Sequence, residues 1–342
     1  MNKWKLPKKE LRDILILIGI TCAVFSLSLI GISIILRLNV MEVFNYFFTS
    51  TLGSEFGILS MLRRTTYLLI VSLGLCVAFR AGVWNLGGEG QILLGSLVTV
   101  GICLEIGLPP LTVIPLAFIA SFLIGGGWGL IAGILKVKWG VNEMIVTMMM
   151  NFVATATMIE LAGGPWRDPV VLIAKTKMIA QELRFPFILY PLNTVFLIAL
   201  ALIPVVHILV EKTVLGYEMR VVGGNISAAT YAGINAGKVI MICMFLSGGI
   251  CALAGTTLIF GQFFSAEAGI SGMYGFYAIV CTLLGGMRPK MMFFTSILVS
   301  FILTGTSALR VLGIPGGVAD VMIGLMFVMA ALPELLARRR FR

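Results

Sequence analysis

Residues 13–36 read "DILILIGITCAVFSLSLIGISIIL", with Asp13 as the one charge. As a helix this run is long enough to cross about 30 Å of hydrocarbon. Nine further apolar runs follow, at about 65–80, 91–107, 110–135, 141–164, 187–210, 239–260, 272–287, 291–307 and 320–337. Backbone polar groups in lipid must be satisfied internally, which leaves helices or a closed barrel. The runs are continuous instead of alternating with period two, which excludes a barrel. The expected fold is therefore all-α: residues 1–342 form a single transmembrane domain, a polytopic integral membrane helical bundle of about ten helices. Residues 1–12 form a basic leader (Lys3, Lys5, Lys8, Lys9, Arg12). The first run exceeds the roughly 7–15 residues of a signal core and no Ala-x-Ala site follows, so it reads as a retained span.

Composition agrees: 59% of residues are hydrophobic, 12% are charged, and mean hydropathy is +1.06. A soluble domain of this length needs far more polar surface. The net charge of +10 does not indicate nucleic acid, because the basic residues sit at segment ends without interleaved aromatics. With the N-terminus inside, 17 Lys and Arg fall on inner connections and 8 on outer ones, including Arg37, Arg63, Arg64 and Arg310. That bias predicts that both termini are cytoplasmic. Cys22, Cys76, Cys103, Cys243, Cys251 and Cys281 lie in apolar runs without a Cys-x-x-Cys pair, so neither a zinc site nor a disulfide framework is expected.

The stretch "RAGVWNLGGEGQILLG" (80–95) interrupts this pattern with Asn85, Glu89 and Gln91 among five glycines. A carboxylate at bilayer depth faces protein or a water-filled path. Glycines allow close backbone approach and a helix break. A helix starting near Gly88 places Glu89 in its first turn, where the macrodipole favours it; a gating residue and a simple cap both fit. A comparable glycine-rich lead-in, "GQFFSAEAGISGMYG" (261–275), precedes the eighth span, five spans later. Halves of five spans have opposed orientations, as in a 5+5 inverted repeat; two unrelated glycine-rich segments also account for it.

The fifth span opens with Asn142 and Glu143, and Glu143, Thr147 and Asn151 share one helical face. Such a polar stripe lines a path or hydrogen-bonds a neighbouring segment. Gly125, Gly129 and Gly133 form a small-residue seam on the fourth span. His207 beside Glu211 reads as a polar end group. Glu160 reads as an interfacial charge.

Two connections are long. Residues 165–186 are expected outside as a loop or interfacial helix, and 211–238 inside. The inner one holds "SAATYAGIN", a short helix capped by Asn225 or Ser227, whose Ala228, Ala229 and Ala232 form a small-residue face for a partner. "GINAGKV" departs from a phosphate loop in glycine spacing and in Val239, and the chain has no Walker A motif.

The ordered series "AGVWNLGGEGQILLG", "GVNEMIVTMMMN", "GYEMRVVGGNISAATYAGIN", "SGGICALAGTTLIFG", "GMYGFYAIVCTLLGGMRP" and "LGIPGGVADVMIGLMF" resembles the permease subunits of bacterial ABC importers for simple sugars and nucleosides, the branched-chain amino acid and ribose type, over residues 60–335. Trp84 and "LGG" at 86–88 depart mildly from that pattern. The resemblance implies no cofactor on this chain, with ATP and Mg used by a separate ATP-binding cassette subunit. It also implies a second homologous permease as homo- or heterodimer, an extracytoplasmic binding protein or lipoprotein, and a nucleoside, ribose-type sugar or riboflavin as solute. By position, Gly216, Gly223, Asn225, Ala229, Tyr231, Ala232 and Gly233 carry the coupling-loop role. Asn85, Glu89, Gln91, Asn142, Glu143, Thr147 and Asn151 are the pathway or gating candidates. No catalytic or metal-binding residues are expected. The competing class is an ion- or proton-coupled secondary transporter using Glu89, Glu143 or His207. A membrane enzyme would need clustered His, Asp or Glu, which the sequence does not show.

Overall fold

The computed structural model describes residues 26–31, 33–318 and 320–325. The leader, Cys22, most of the first expected span, the end of the last one and the basic tail lie outside the described residues. The chain divides into two compact units, residues 1–61 with 298–342, and residues 62–297.

In the first unit, helix α1 (Val40–Thr51) starts where Asn39 accepts a hydrogen bond from the Met41 amide at 3.0 Å. Phe47 is fully buried, packs edge-on against Phe301 at 5.1 Å and fills the space left by Gly305. A 3-10 turn follows at Leu309–Leu312.

The second unit contains the remaining helices. Helix α2 (Glu55–Arg80) enters it from the first unit, and α3 (Gly88–Glu105), α4 (Pro110–Trp139) and α5 (Glu143–Gly163) follow. Next come α6 (Val195–Lys212), α7 (Val214–Gly224), α8 (Ile226–Tyr231), α9 (Ala236–Leu258) and α10 (Tyr274–Leu284). Helix α11 (Pro289–Ala308) leaves it again. Among the described residues six helices are long and apolar enough to cross a membrane: α2, α4, α5, α6, α9 with its extension, and α11.

Four boundaries differ from the sequence reading. Helix α1 was not expected. Helix α2 begins at Glu55 instead of 65, because Arg63 and Arg64 break the hydropathy run yet are good helix formers; both therefore lie within a helix and not in a connection. The sixth span begins at Val195, because Pro186 and Pro191 prevent helix over 187–193. Phe187–Leu189 (β1) and Leu192–Asn193 (β2) pair antiparallel there. The eighth span shrinks to α10, 11 residues or about 16 Å long. Gly272 and Met273 have positive φ, which blocks an earlier start, and Gly286 and Met287 repeat that conformation after its end.

The core is organised by α9. Its Gly248, Gly255 and Ala252 meet backbone directly: a Cβ at Gly255 would collide with the Ile92 carbonyl of α3, and one at Gly95 of α3 with the Ala252 carbonyl. The α4 seam is the other flank. A Cβ at Gly125 would lie 2.7 Å from the Gly248 carbonyl, one at Gly129 would collide with the Met244 carbonyl, and one at Gly133 would sit 3.2 Å from Met244 Cβ. Small residues on both sides bring the helices to backbone contact, where dispersion and packing hold helices that lipid itself does not drive together.

Gly255→Ala is expected to lower the melting temperature of the detergent-solubilised protein by several degrees or to abolish its accumulation. Gly127→Ala on α4, where a Cβ meets nothing within 4 Å, is expected to match or exceed wild type, since Ala is about 0.5–1 kcal/mol better in a helix. Equal melting of the two variants would contradict the seam.

Candidate functional site

Between α2 and α3 the chain runs without regular secondary structure over residues 83–87, alongside the first turns of α5. The Trp84 amide donates to Glu143 Oε1 at 3.3 Å, the Leu86 amide to Thr147 Oγ1 at 3.1 Å, and the Gly90 amide to Asn151 Oδ1 at 2.9 Å. Asn151 Nδ2 in turn donates to the Leu86 carbonyl at 3.0 Å. The stripe on α5 thus serves backbone that has no helix of its own to bond with. All three side chains are buried, and Glu143 also pairs with Lys136 of α4 at 2.6 Å. Asn142 stands apart from this network: it is exposed and caps α5 by accepting from the Met144 amide at 2.9 Å.

Asn85 and Gln91 are fully buried and bond each other, Asn85 Nδ2 to Gln91 Oε1 at 3.1 Å and Gln91 Nε2 to Asn85 Oδ1 at 3.2 Å. Asn85 also donates to Ser247 Oγ of α9 at 2.9 Å and accepts from the Gly87 amide at 2.9 Å. Gln91 Nε2 lies where Cβ atoms at Gly129 and Gly248 would stand at 3.4 and 3.2 Å. The α4–α9 seam therefore leaves a slot that one amide fills.

Glu89 faces the other way. Its Oε2 accepts from the Gly275 amide at 2.8 Å and its Oε1 from the Ser271 hydroxyl. A Cβ at Gly275 would collide with the Glu89 amide nitrogen. The first turns of α3 and α10 therefore touch, and Glu89 closes the junction. Asn151, level with this junction, lies about 12 Å along α5 from Glu143. The two helices then diverge. Helix α10 leads back to Met287, whose carbonyl accepts from Arg80 Nε at 2.8 Å, while α3 leads to Glu105, which accepts from Trp166 Nε1 at 2.9 Å. Two non-helical segments (83–87 and 264–273) lead into α3 and α10. The first turns of those two helices meet, with both positive helix ends directed at the Glu89 carboxylate.

The Arg80 end carries a second cluster. Arg80 pairs with Glu211 of α6 at 2.7 Å, and Arg220 of α7 approaches the same carboxylate at 3.5 Å. Gly216 and Gly223 are contact points: Cβ atoms there would collide with the Val210 and Arg80 carbonyls. Helix α8 projects from this base. Asn225 caps it by accepting from the Ala228 amide at 3.1 Å. At its far end the Ile234 and Gly233 amides bond the Ala229 and Thr230 carbonyls, both at 3.0 Å, with Gly233 at φ 78°, a Schellman ending. Ala229 is fully buried, whereas Ala228, Ala232, Ile226 and Tyr231 are exposed, Tyr231 to 94%. The small-residue face expected from the three alanines is therefore split. Ala229 anchors the helix and the outward face is led by Ile226 and Tyr231.

The sequence reading did not foresee Ser247, Ser271, Gly275, Lys136 or the Arg80–Glu211–Arg220 cluster. Their partners lie between 7 and 186 positions away in the chain, and no local pattern marks them. Residues 165–186 form a loop with a short 3-10 turn at Gln181–Leu183; its Thr176 and Ile179 amides bond the Ala266 and Phe264 carbonyls at 3.0 and 2.8 Å.

Residues 57–331 match the family described as branched-chain amino acid transport system / permease component. The chain belongs to that family. It is 31% identical to the guanosine ABC transporter permease protein NupP of Bacillus subtilis, with 82% of each chain covered. A nucleoside ABC transporter permease of Lactococcus lactis is 29% identical over 90% of this chain and 88% of its own. A glucose ABC transporter permease of Haloferax volcanii is 27% identical over 92% and 87%. The protein is a multi-pass membrane permease, the transmembrane subunit of an ABC transporter.

Thr147→Val keeps the volume of the side chain but leaves the Leu86 amide without its acceptor. It is expected to cost about 1–3 kcal/mol, read as a lowered melting temperature in detergent. Thr157→Val, one helix face away and partly exposed, is expected to melt like wild type.

Proposed function

We propose that this permease forms the solute passage of an importer for a nucleoside or simple sugar in a bacterial inner membrane, with both termini in the cytoplasm. A separate ATP-binding cassette subunit, which binds ATP and Mg, docks on α8. A second homologous permease completes the passage, and an extracytoplasmic binding protein or lipoprotein delivers the solute. The observation that carries this reading is α8 itself. It is a six-residue helix closed at both ends by its own caps and anchored by one buried alanine, yet it presents Ile226 and Tyr231 to the outside. Six residues are too few to be stable as an isolated helix, so the caps and the Ala229 contact hold its shape ready for a partner.

The same geometry suggests how a push on α8 travels. Helix α7 touches the backbone at Arg80–Gly82 through Gly223, and Gly82 begins the non-helical segment that leads to Glu89. Movement of the ATPase then shifts α7 and the 81–87 segment and loads the α3–α10 junction, so Glu89 is the gating residue. Asn85, Gln91, Glu143, Thr147 and Asn151 hold that segment in shape. Differential affinity of the ATPase for the two states drives the switch. Matches to a glucose and two nucleoside transporters support the solute class.

Tyr231→Ala is expected to leave the melting temperature within about a degree of wild type, since exposed substitutions away from special features change stability little. It is expected to lower co-purification of the ATPase and ATP-driven uptake at least several-fold. Unchanged uptake removes α8 from the mechanism. Uptake that survives ATP depletion and stops when the proton gradient collapses would instead favour a secondary transporter. Glu89→Gln is expected to impair uptake more than Glu160→Gln, whose residue is exposed.

A further inference from the structure

Beside the Glu89 junction, α2 presents Tyr67, which is fully buried. Its ring lies 5.6 Å from that of Tyr274, the first residue of α10, at an interplanar angle of 33°. That spacing falls in the range of offset aromatic pairs. One turn away on the same helix, Arg63 lies close enough to act electrostatically on the Tyr67 hydroxyl. The Asn193 side chain also faces that hydroxyl. However, its Nδ2 is committed to the Gly261 carbonyl and its Oδ1 accepts from the Val195 amide at 3.2 Å. Among the described residues the Tyr67 hydroxyl closes no hydrogen bond of good geometry, and neither do the buried Arg63 Nε and the buried Oε1 of Gln262, which follows Gly261. Buried polar atoms without partners are uncommon in folded proteins. A phenylalanine at 67 would fill the same space without the cost of an unpaired hydroxyl.

We propose that Arg63, Tyr67 and Tyr274 form the solute-recognition site of the permease and that its ligand is a purine nucleoside. The proposal rests on the transport reading above. The chemistry is complementary. A flat base stacks on a tyrosine face, the guanidinium donates to the paired acceptors O6 and N7 of a guanine edge, and the Tyr67 hydroxyl engages a ribose hydroxyl. In this structure the two tyrosine rings lie against each other and the Asn193 side chain faces the Tyr67 hydroxyl, so the nucleoside enters when the ring contact parts. The position next to Gly275, the residue that receives Glu89, ties occupancy of the site to the junction between α3 and α10.

The test uses the full transporter, assembled with its ATPase and binding protein in proteoliposomes, with radiolabelled guanosine as probe and glucose as comparison. Tyr67→Phe is expected to raise the KM for guanosine uptake about tenfold, the loss of one ligand hydrogen bond. Assembly with the ATPase should stay at the wild-type level, and the melting temperature should be equal or higher, because an unpaired buried hydroxyl has gone. Arg63→Gln is expected to raise the same KM. A lowered melting temperature with unchanged KM in Tyr67→Phe would make the hydroxyl structural and overturn the site. Wild-type KM in both variants would overturn the site alone. Wild-type transport of glucose but not of guanosine would overturn the nucleoside assignment. Absence of ATP-driven uptake of either solute by wild type would fell the transport reading and this proposal with it.

Discussion

A helix broken inside a bilayer exposes amide groups that lipid cannot satisfy. This permease starts two helices, α3 and α10, in buried surroundings where the same demand holds, and the rest of the unit formed by residues 62–297 follows from how their amides are satisfied. At the first start the amides of Trp84, Leu86 and Gly90 are received by Glu143, Thr147 and Asn151. At the second the Gly275 amide is received by Glu89. The carboxylate supplied by one helix is thus consumed by the other. Glu89 is tolerated in an apolar chain because it replaces backbone partners that a helix start lacks.

That exchange requires close approach, which glycine provides. Gly275 admits Glu89, and Gly129 with Gly248 admits Gln91. Gly95 and Gly255 bring α3 and α9 to carbonyl contact. A methyl group at any of the tightest of these positions would push a helix off the buried amides it completes. The polar network and the glycine seam are therefore one construction, with neither able to form without the other.

Much of this was legible in the sequence where the cause is local. Apolar run length gave the helical membrane class, four-residue spacing placed Glu143, Thr147 and Asn151 on one face, and Asn225 was one of two recognisable caps beside Ser227, the structure choosing Asn225. The two glycine-rich lead-ins were visible as a pair, but their meeting at Glu89 was not, since Gly275 lies 186 positions away. Hydropathy misplaced the start of α2 because it scores Arg63 and Arg64 as interruptions. It over-extended the eighth span because it does not register the positive φ at Gly272 and Met273. The alanines of α8 suggested one small face, whereas burial of Ala229 alone turns Tyr231 outward.

The proposed function joins these features into one mechanical path, from an exposed six-residue helix through the Gly223–Gly82 contact to the junction of α3 and α10. Its weight rests on the Glu89 carboxylate acting as the tie between them. A double-mutant cycle on thermal unfolding of the detergent-solubilised protein tests this most directly, with Glu89→Gln, Ser271→Ala and the double variant. The account predicts a coupling energy of about 0.5–3 kcal/mol between the two sites, and additivity within about 0.3–0.5 kcal/mol would contradict it.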